Sequence, residues 1–189
     1  MRKKKDVTSE LLFENLDSRA VFHFENENLE NAVRILLNKT DAMFYFDEIE
    51  RIEEININGS SVIYRHTAYN FMPFVRNGIG QLSDLKYFSG LKSLALEGAG
   101  IRNLNFLEGL DLRTLNLQQN EIENITWVGT LKNLKILDLS NNKISNINPL
   151  RHLTKLQALW LYNNNISDLS PTSGLESLQI SDFSGNLNI

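Results

Sequence analysis

A chain that repeats itself every 22 residues cannot build an ordinary closed core, because each unit must bury its apolar face against the next copy. Leu134, Leu137, Leu139, Asn142 and Ile144 follow the spacing Leu-x-x-Leu-x-Leu-x-x-Asn-x-Ile, and Leu156, Leu159, Leu161, Asn164 and Ile166 repeat it 22 residues on. Leu112, Leu115, Leu117, Asn120 and Ile122 stand 22 residues before the first set, and Leu91, Leu94, Leu96, Ala99 and Ile101 form a unit one residue shorter. The same frame predicts a unit at Tyr69, Met72, Phe74, Asn77 and Ile79, and a degenerate one at Ile52, Ile55, Ile57, Ser60 and Val62. A last unit begins at Leu178 and keeps Phe183 and Asn186, with Ser181 and Asn188 where apolar residues are expected.

The second half of each unit repeats too, in Leu82, Leu85 and Phe88, then Leu104, Leu107 and Leu110, then Ile125, Val128 and Leu131, then Ile147, Leu150 and Leu153. This is the leucine-rich repeat pattern, and it predicts an α/β solenoid: a parallel curved sheet with short helical or extended returns. Within a unit the leucines alternate at period two, so a short strand turns them inward and the residues between them outward. The recurring Asn offers two amide donors and a carbonyl acceptor where the chain leaves the strand, so stacked copies are expected to satisfy backbone groups. Ala99 and Ser60 interrupt that ladder, which predicts looser turns there. Pro149 and Pro171 at equivalent places favour one-turn or extended returns over long helices.

A solenoid needs its end covered. Leu29, Val33, Leu36 and Leu37 recur at helical spacing, with Asn26 or Asn28 as N-cap, and Asp47 to Glu50 has the form of a capping box opening a second short helix. The expected organisation is an N-terminal extension at residues 1–20, partly disordered, a helical N-terminal cap at 21–51, and repeats over 52–189 with units starting at 52, 69, 91, 112, 134, 156 and 178.

The cap stretch Phe24-Glu25-Asn26-Glu27-Asn28-Leu29-Glu30-Asn31-Ala32-Val33, followed by repeats of the kind at Ile144 to Leu150, resembles the internalin-type leucine-rich repeat proteins of Gram-positive bacteria over roughly residues 21–189. Internalins are typically secreted or wall-bound adhesins that grip a host protein with the concave face, so the resemblance implies a binding protein. The sequence shows none of the family's signal peptide, wall-sorting tail or immunoglobulin-like cap. Its location is therefore expected to be cytoplasmic as the chain stands, and secreted or at the cell surface if a leader has been removed.

Composition narrows the chemistry. With no cysteine the chain has no disulfide, no thiolate metal site and no cysteine nucleophile. His23, His66 and His152 share no metal-ligand spacing, and no Gly-rich phosphate loop, His-Glu-x-x-His or Gly-x-Ser-x-Gly occurs. No catalytic residue, metal site or cofactor is expected. A net charge of −4 opposes nucleic acid as the main partner, and no apolar run reaches the length of a membrane span. A protein partner remains, and the positions facing out of the concave sheet are where it would bind. Between the strand leucines stand Asn56, Pro73, Ala95, Asn116, Asp138, Trp160 and Asp182, and after them Asn58, Val75, Glu97, Gln118, Ser140, Tyr162 and Ser184.

Most of these residues are bland and polar, as a solvated face requires. Trp160 and Tyr162 are the exceptions, flanked by Asp138 and Asp182 and by Ile136 and Ile180, with Asn116 and Gln118 extending the face. Large amphipathic rings in a charged rim suit an interface. Trp127 and Phe106, in the return segments, are expected to pack locally on the convex side. The final strand near Leu178 to Phe183 exposes an edge, which predicts weak self-association. The alternative reading makes the chain the recognition segment of a larger effector or enzyme whose active part lies elsewhere.

Overall fold

In a computed structural model, residues 20–40, 43–58, 61–64, 67–70 and 82–187 are described. Strand β1, Val21–Phe22, pairs antiparallel with β2, Phe44–Tyr45, and the ten-residue helix α1, Glu27–Leu36, lies between them. The Asn26 Oδ1 accepts from the Leu29 N–H at 2.9 Å and so fixes the start of α1, whose Leu29, Ala32 and Val33 are wholly buried. Helix α2 runs Phe46–Glu50, with Tyr45 rather than Asp47 as its N-cap. The capping box closes two residues earlier than the Asp-x-x-Glu spacing suggests, because the Glu48 carboxylate accepts from the Tyr45 N–H at 3.0 Å.

The main sheet contains β3, Glu54–Asn58; β4, Ser61–Tyr64; β5, Thr67–Asn70; β6, Ser93–Glu97; β7, Thr114–Asn116; β8, Ile136–Asp138; β9, Ala158–Trp160; and β10, Ile180–Asp182. Its order is β10-β9-β8-β7-β6-β3-β4-β5, and the six strands β3 and β6 to β10 are parallel. Short 3-10 turns at Ser83–Tyr87, Asn105–Leu107, Thr126–Thr130, Asn148–His152 and Ser170–Thr172 form the returns. Four of them begin behind a repeated side-chain clasp in which Asn103, Asn124, Asn146 or Asp168 accepts from the N–H two residues on.

The unit expected at residue 69 is corrected by the strand order. Residues 71–81 lie outside the described residues, and β3 hydrogen-bonds directly to β6. Ser61–Tyr64 and Thr67–Asn70 instead form the antiparallel pair β4-β5 on the far side of β3. The frame matched because Leu82, Leu85 and Phe88 do act as a return, buried at 2%, 0% and 0% exposure, and they complete the unit that β3 begins. The same core joins cap and solenoid. Phe22, Phe24, Phe44, Phe46 and Tyr87 meet edge to face. Gly90 passes so close to the end of α2 that a Cβ there would lie 2.0 Å from the Glu50 carbonyl oxygen.

One carboxylate ties the cap to the first return. Asp84, only 2% exposed, accepts from the backbone N–H groups of Glu25 and Asn26 at 2.8 and 3.3 Å. Burial pushes its pKa above the ordinary aspartate value, against the pull of those two donors.

The Asn ladder forms as its donor inventory requires. Asn142 Nδ2 donates to the carbonyls of Leu117, Leu139 and Ser140, while its Oδ1 accepts from the Ile122 N–H. Asn120, Asn164 and Asn186 make the same bridges one unit back and one and two units on. Where Ala99 interrupts the ladder, Asn120 Oδ1 accepts from both the Ala99 and Ile101 N–H groups, and Gly98 and Gly100 take positive φ values of 63° and 68°.

Candidate functional site

Parallel pairing places equivalent residues side by side. One outward row reads Glu54, Ser93, Thr114, Ile136, Ala158 and Ile180, and the next reads Asn56, Ala95, Asn116, Asp138, Trp160 and Asp182. Two positions further along each strand come Glu97, Gln118, Ser140, Tyr162 and Ser184. The charged members of these rows, Glu54, Glu97, Asp138 and Asp182, are all acidic.

Of the eight residues singled out from sequence, the register brings Asp138, Trp160 and Asp182 together, at about 4.8 Å per strand. Trp160 and Tyr162 are half-buried, and neither is absorbed into the core, whose inward positions hold Leu159 and Leu161. Ile136 and Ile180 are exposed at 39% and 56%, but they do not touch one another's strand: Ala158, 5% exposed, stands between them. The pair therefore forms two low ridges flanking a notch next to Trp160. Asn116 and Gln118 lie two strands away from Trp160, separated from it by β8.

Several of these side chains have tasks within the fold. Asn116, Asp138 and Asp182 each accept, through Oδ1, from the N–H two residues on, at 3.0, 2.9 and 2.9 Å, closing the turn at the end of the strand. The Ser184 hydroxyl donates to Asp182 as well, and these bonds hold the Asp182 carboxyl below the usual aspartate pKa. The Tyr162 hydroxyl accepts from Asn141 Nδ2 at 2.7 Å, and Asn163 Nδ2 donates to Asn141 Oδ1 at 3.0 Å. Asn141 and Asn163 can make this chain because both sit in the left-handed region, with φ of 55° and 53°.

Sequence reasoning passed over Ala158 and set Ser140 among the outward-facing positions, where the structure does not leave it exposed. Ala158 was legible as the small residue two positions before Trp160. Ser140 is fully buried and its Oγ has no hydrogen-bond partner among the described residues, a property of packing that no residue pattern records. Trp127 is 1% exposed and donates its Nε1–H to the Asn124 carbonyl at 3.1 Å, so it is a core residue.

The rims carry their own ladders. Lys92 and Asn133 both donate to Asp111, and Lys155 donates to Asn133. The Lys92 ammonium chiefly holds the Asp111 carboxyl below its usual pKa. On the other rim Arg102 and Lys143 share Glu121, whose pKa the Arg102 guanidinium draws down. Among the described residues no group of three or more His, Asp or Glu side chains is placed to hold a metal ion, and no helix is long and apolar enough to cross a membrane.

Two family descriptions match the chain: leucine-rich repeats in two copies over residues 111–152, and a leucine-rich repeat over residues 155–178. Among solved structures, an internalin (InlF) from Listeria monocytogenes is 28% identical with a TM-score of 0.71, the match covering 86% of this chain and 44% of the internalin. The repeats are internalin-like. This chain thus spans less than half the length of that relative. An internalin C2 from the same organism, 23% identical with a TM-score of 0.57, is matched over 86% of this chain and 85% of its own, a likeness of fold. A plant peptide hormone receptor, RGFR1, in complex with RGF2 is similar at 22% identity and a TM-score of 0.50 over 56% of this chain and 19% of the receptor, again in fold alone. Comparison with curated proteins gives no match. Leucine-rich repeat domains are generally protein-binding scaffolds.

Proposed function

We infer that this chain is a non-enzymatic scaffold that takes a protein partner on the concave face of its C-terminal repeats, centred on Trp160. One observation carries the reading: Trp160 occupies a row in which Asn116, Asp138 and Asp182 each close a turn with an oxygen, and an indole has none to offer. The fold gains nothing visible from the exchange, whereas an interface gains a large anchor. The acidic flanks Asp138 and Asp182 suit a partner that presents Lys or Arg, its cation over the indole and its donors on a carboxylate.

The test is capture of a partner by the intact chain followed by titration of variants. Trp160→Ala should weaken binding by about 2 kcal/mol or more. Added salt should weaken it further, since exposed carboxylates act over about a Debye length. A Trp160→Ala chain that keeps its circular dichroism spectrum and binds as tightly as the parent would remove this face from consideration.

A further inference from the structure

The exchange at Trp160 leaves an empty slot as well as an anchor. In the three comparable strands the N–H groups of Gln118, Ser140 and Ser184 each meet a side-chain oxygen from two residues before. The equivalent N–H of Tyr162 has no hydrogen-bond partner among the described residues, and neither has the Trp160 Nε1–H. On the adjoining strand the buried Ser140 Oγ is also without one. A partner that covers Trp160 must therefore bring an acceptor, because a backbone N–H buried unpaired costs more than the bond it forgoes.

The surroundings decide which acceptor. The slot is shaped by the fold for the short side chain of Asn or Asp, and two of its three occupied counterparts hold Asp. A carboxylate from a partner would stand between Asp138 and Asp182 on neighbouring strands, the latter held ionised by Ser184, and would be repelled. A carboxamide avoids that repulsion. It also carries two donors for the Oδ2 atoms of Asp138 and Asp182, which have no other partner among the described residues. We propose that the partner inserts an asparagine side chain beside Trp160, its amide oxygen accepting from the Tyr162 N–H and its amide nitrogen donating to Asp138 or Asp182. The proposal rests on the concave-face reading above and names one contact within it.

The experiment uses the nitrogen-labelled full chain and three blocked amino acids as probes: the N-acetyl methylamides of asparagine, aspartate and alanine. In the free protein the Tyr162 amide should exchange with solvent about fivefold faster than those of Gln118, Ser140 and Ser184, the factor a hydrogen bond of ordinary net strength supplies. The asparagine probe should shift the Tyr162 amide resonance, and the aspartate and alanine probes should not. Trp160→Ala keeps the slot open and should retain the response, while Trp160→Asn fills the slot from within and should abolish it. Equal protection of the Tyr162 amide, an equal response to all three probes, or a response that survives Trp160→Asn would overturn the proposal. If the Trp160 indole resonance then still moves with N-acetyl-lysine methylamide, the concave-face reading stands without this contact; if it does not, both fall.

Discussion

Replacing Asn142 with alanine tests the physical basis of the solenoid at its centre. Its amide nitrogen donates to the carbonyls of Leu117, Leu139 and Ser140 at 3.0, 2.9 and 3.2 Å, and its oxygen accepts from the Ile122 N–H at 3.0 Å. Two N–H bonds cannot serve three acceptors fully, so the side chain is worth about three hydrogen bonds, each about 1 kcal/mol net. The site is 8% exposed, so water reaches the stranded Ile122 N–H poorly, while the Leu117, Leu139 and Ser140 carbonyls keep donors from Asn120, Asn164 and Gln119, and the loss should total about 3 kcal/mol. Asn186 makes matching bonds to Leu161, Phe183 and Ile166 but is partly exposed, and water should limit its loss to about 1 kcal/mol. Urea unfolding reads both, as a fall in midpoint with an unchanged slope. Equal losses for Asn142→Ala and Asn186→Ala would refute the argument, which rests on their difference in burial. Asn142→Ala should also weaken partner binding, since this ladder sets the spacing of Asp138 against Trp160.

Trp127→Ala should destabilise the fold by about 3 to 5 kcal/mol, the usual cost of emptying a buried aromatic site, and thermal unfolding checks it. Asp84→Ala strips the acceptor from two backbone N–H groups and should cost about 1 to 3 kcal/mol in urea unfolding, with Asp84→Asn costing less because one acceptor remains. Folding raises the Asp84 pKa, so its proton-linked stabilisation is complete below the unfolded value of 3.8 and is lost as pH rises through the folded value. Asp111 and Glu121 have the opposite sign: their lowered pKa values add stability above 3.8 and 4.5 that disappears as the solution is acidified through their folded values. Asp84→Asn should therefore steepen the rise in stability measured between acid and neutral pH. Gly90→Ala should lower the melting temperature by loosening the cap, because the backbone of α2 must move away from the new Cβ.

Periodicity made the solenoid readable wherever one residue type answers one demand. Leucines at every inward strand position and an Asn at every exit leave few other ways to satisfy apolar and backbone groups at once, and strands β6 to β10 lie where the frame places them. The same logic misled at residue 69. Apolar residues at the right intervals there satisfied the frame, but only strand pairing reveals that β3 and β6 are already neighbours. The α2 cap failed for a related reason: the spacing sets Glu50 against Asp47, whereas Glu48 closes the box against Tyr45, and which glutamate caps depends on where Phe46 and the β2 strand place the backbone.

The binding face divides in the same way. Trp160 and Tyr162 stand out of the sequence because a polar row makes two rings conspicuous, and the register then sets Asp138 and Asp182 beside the indole. The second role of those aspartates was hidden, since an exposed Asp in a row of polar residues reads as solvation until its oxygen is seen to meet its own backbone. That hidden role changes what Trp160 means. An aromatic added to an idle surface position is only added area, but one that displaces a turn-closing oxygen removes a bond worth about 1 kcal/mol and leaves a donor open. The concave face is thereby specified twice at one residue, by the ring it presents and by the hydrogen bond it has given up.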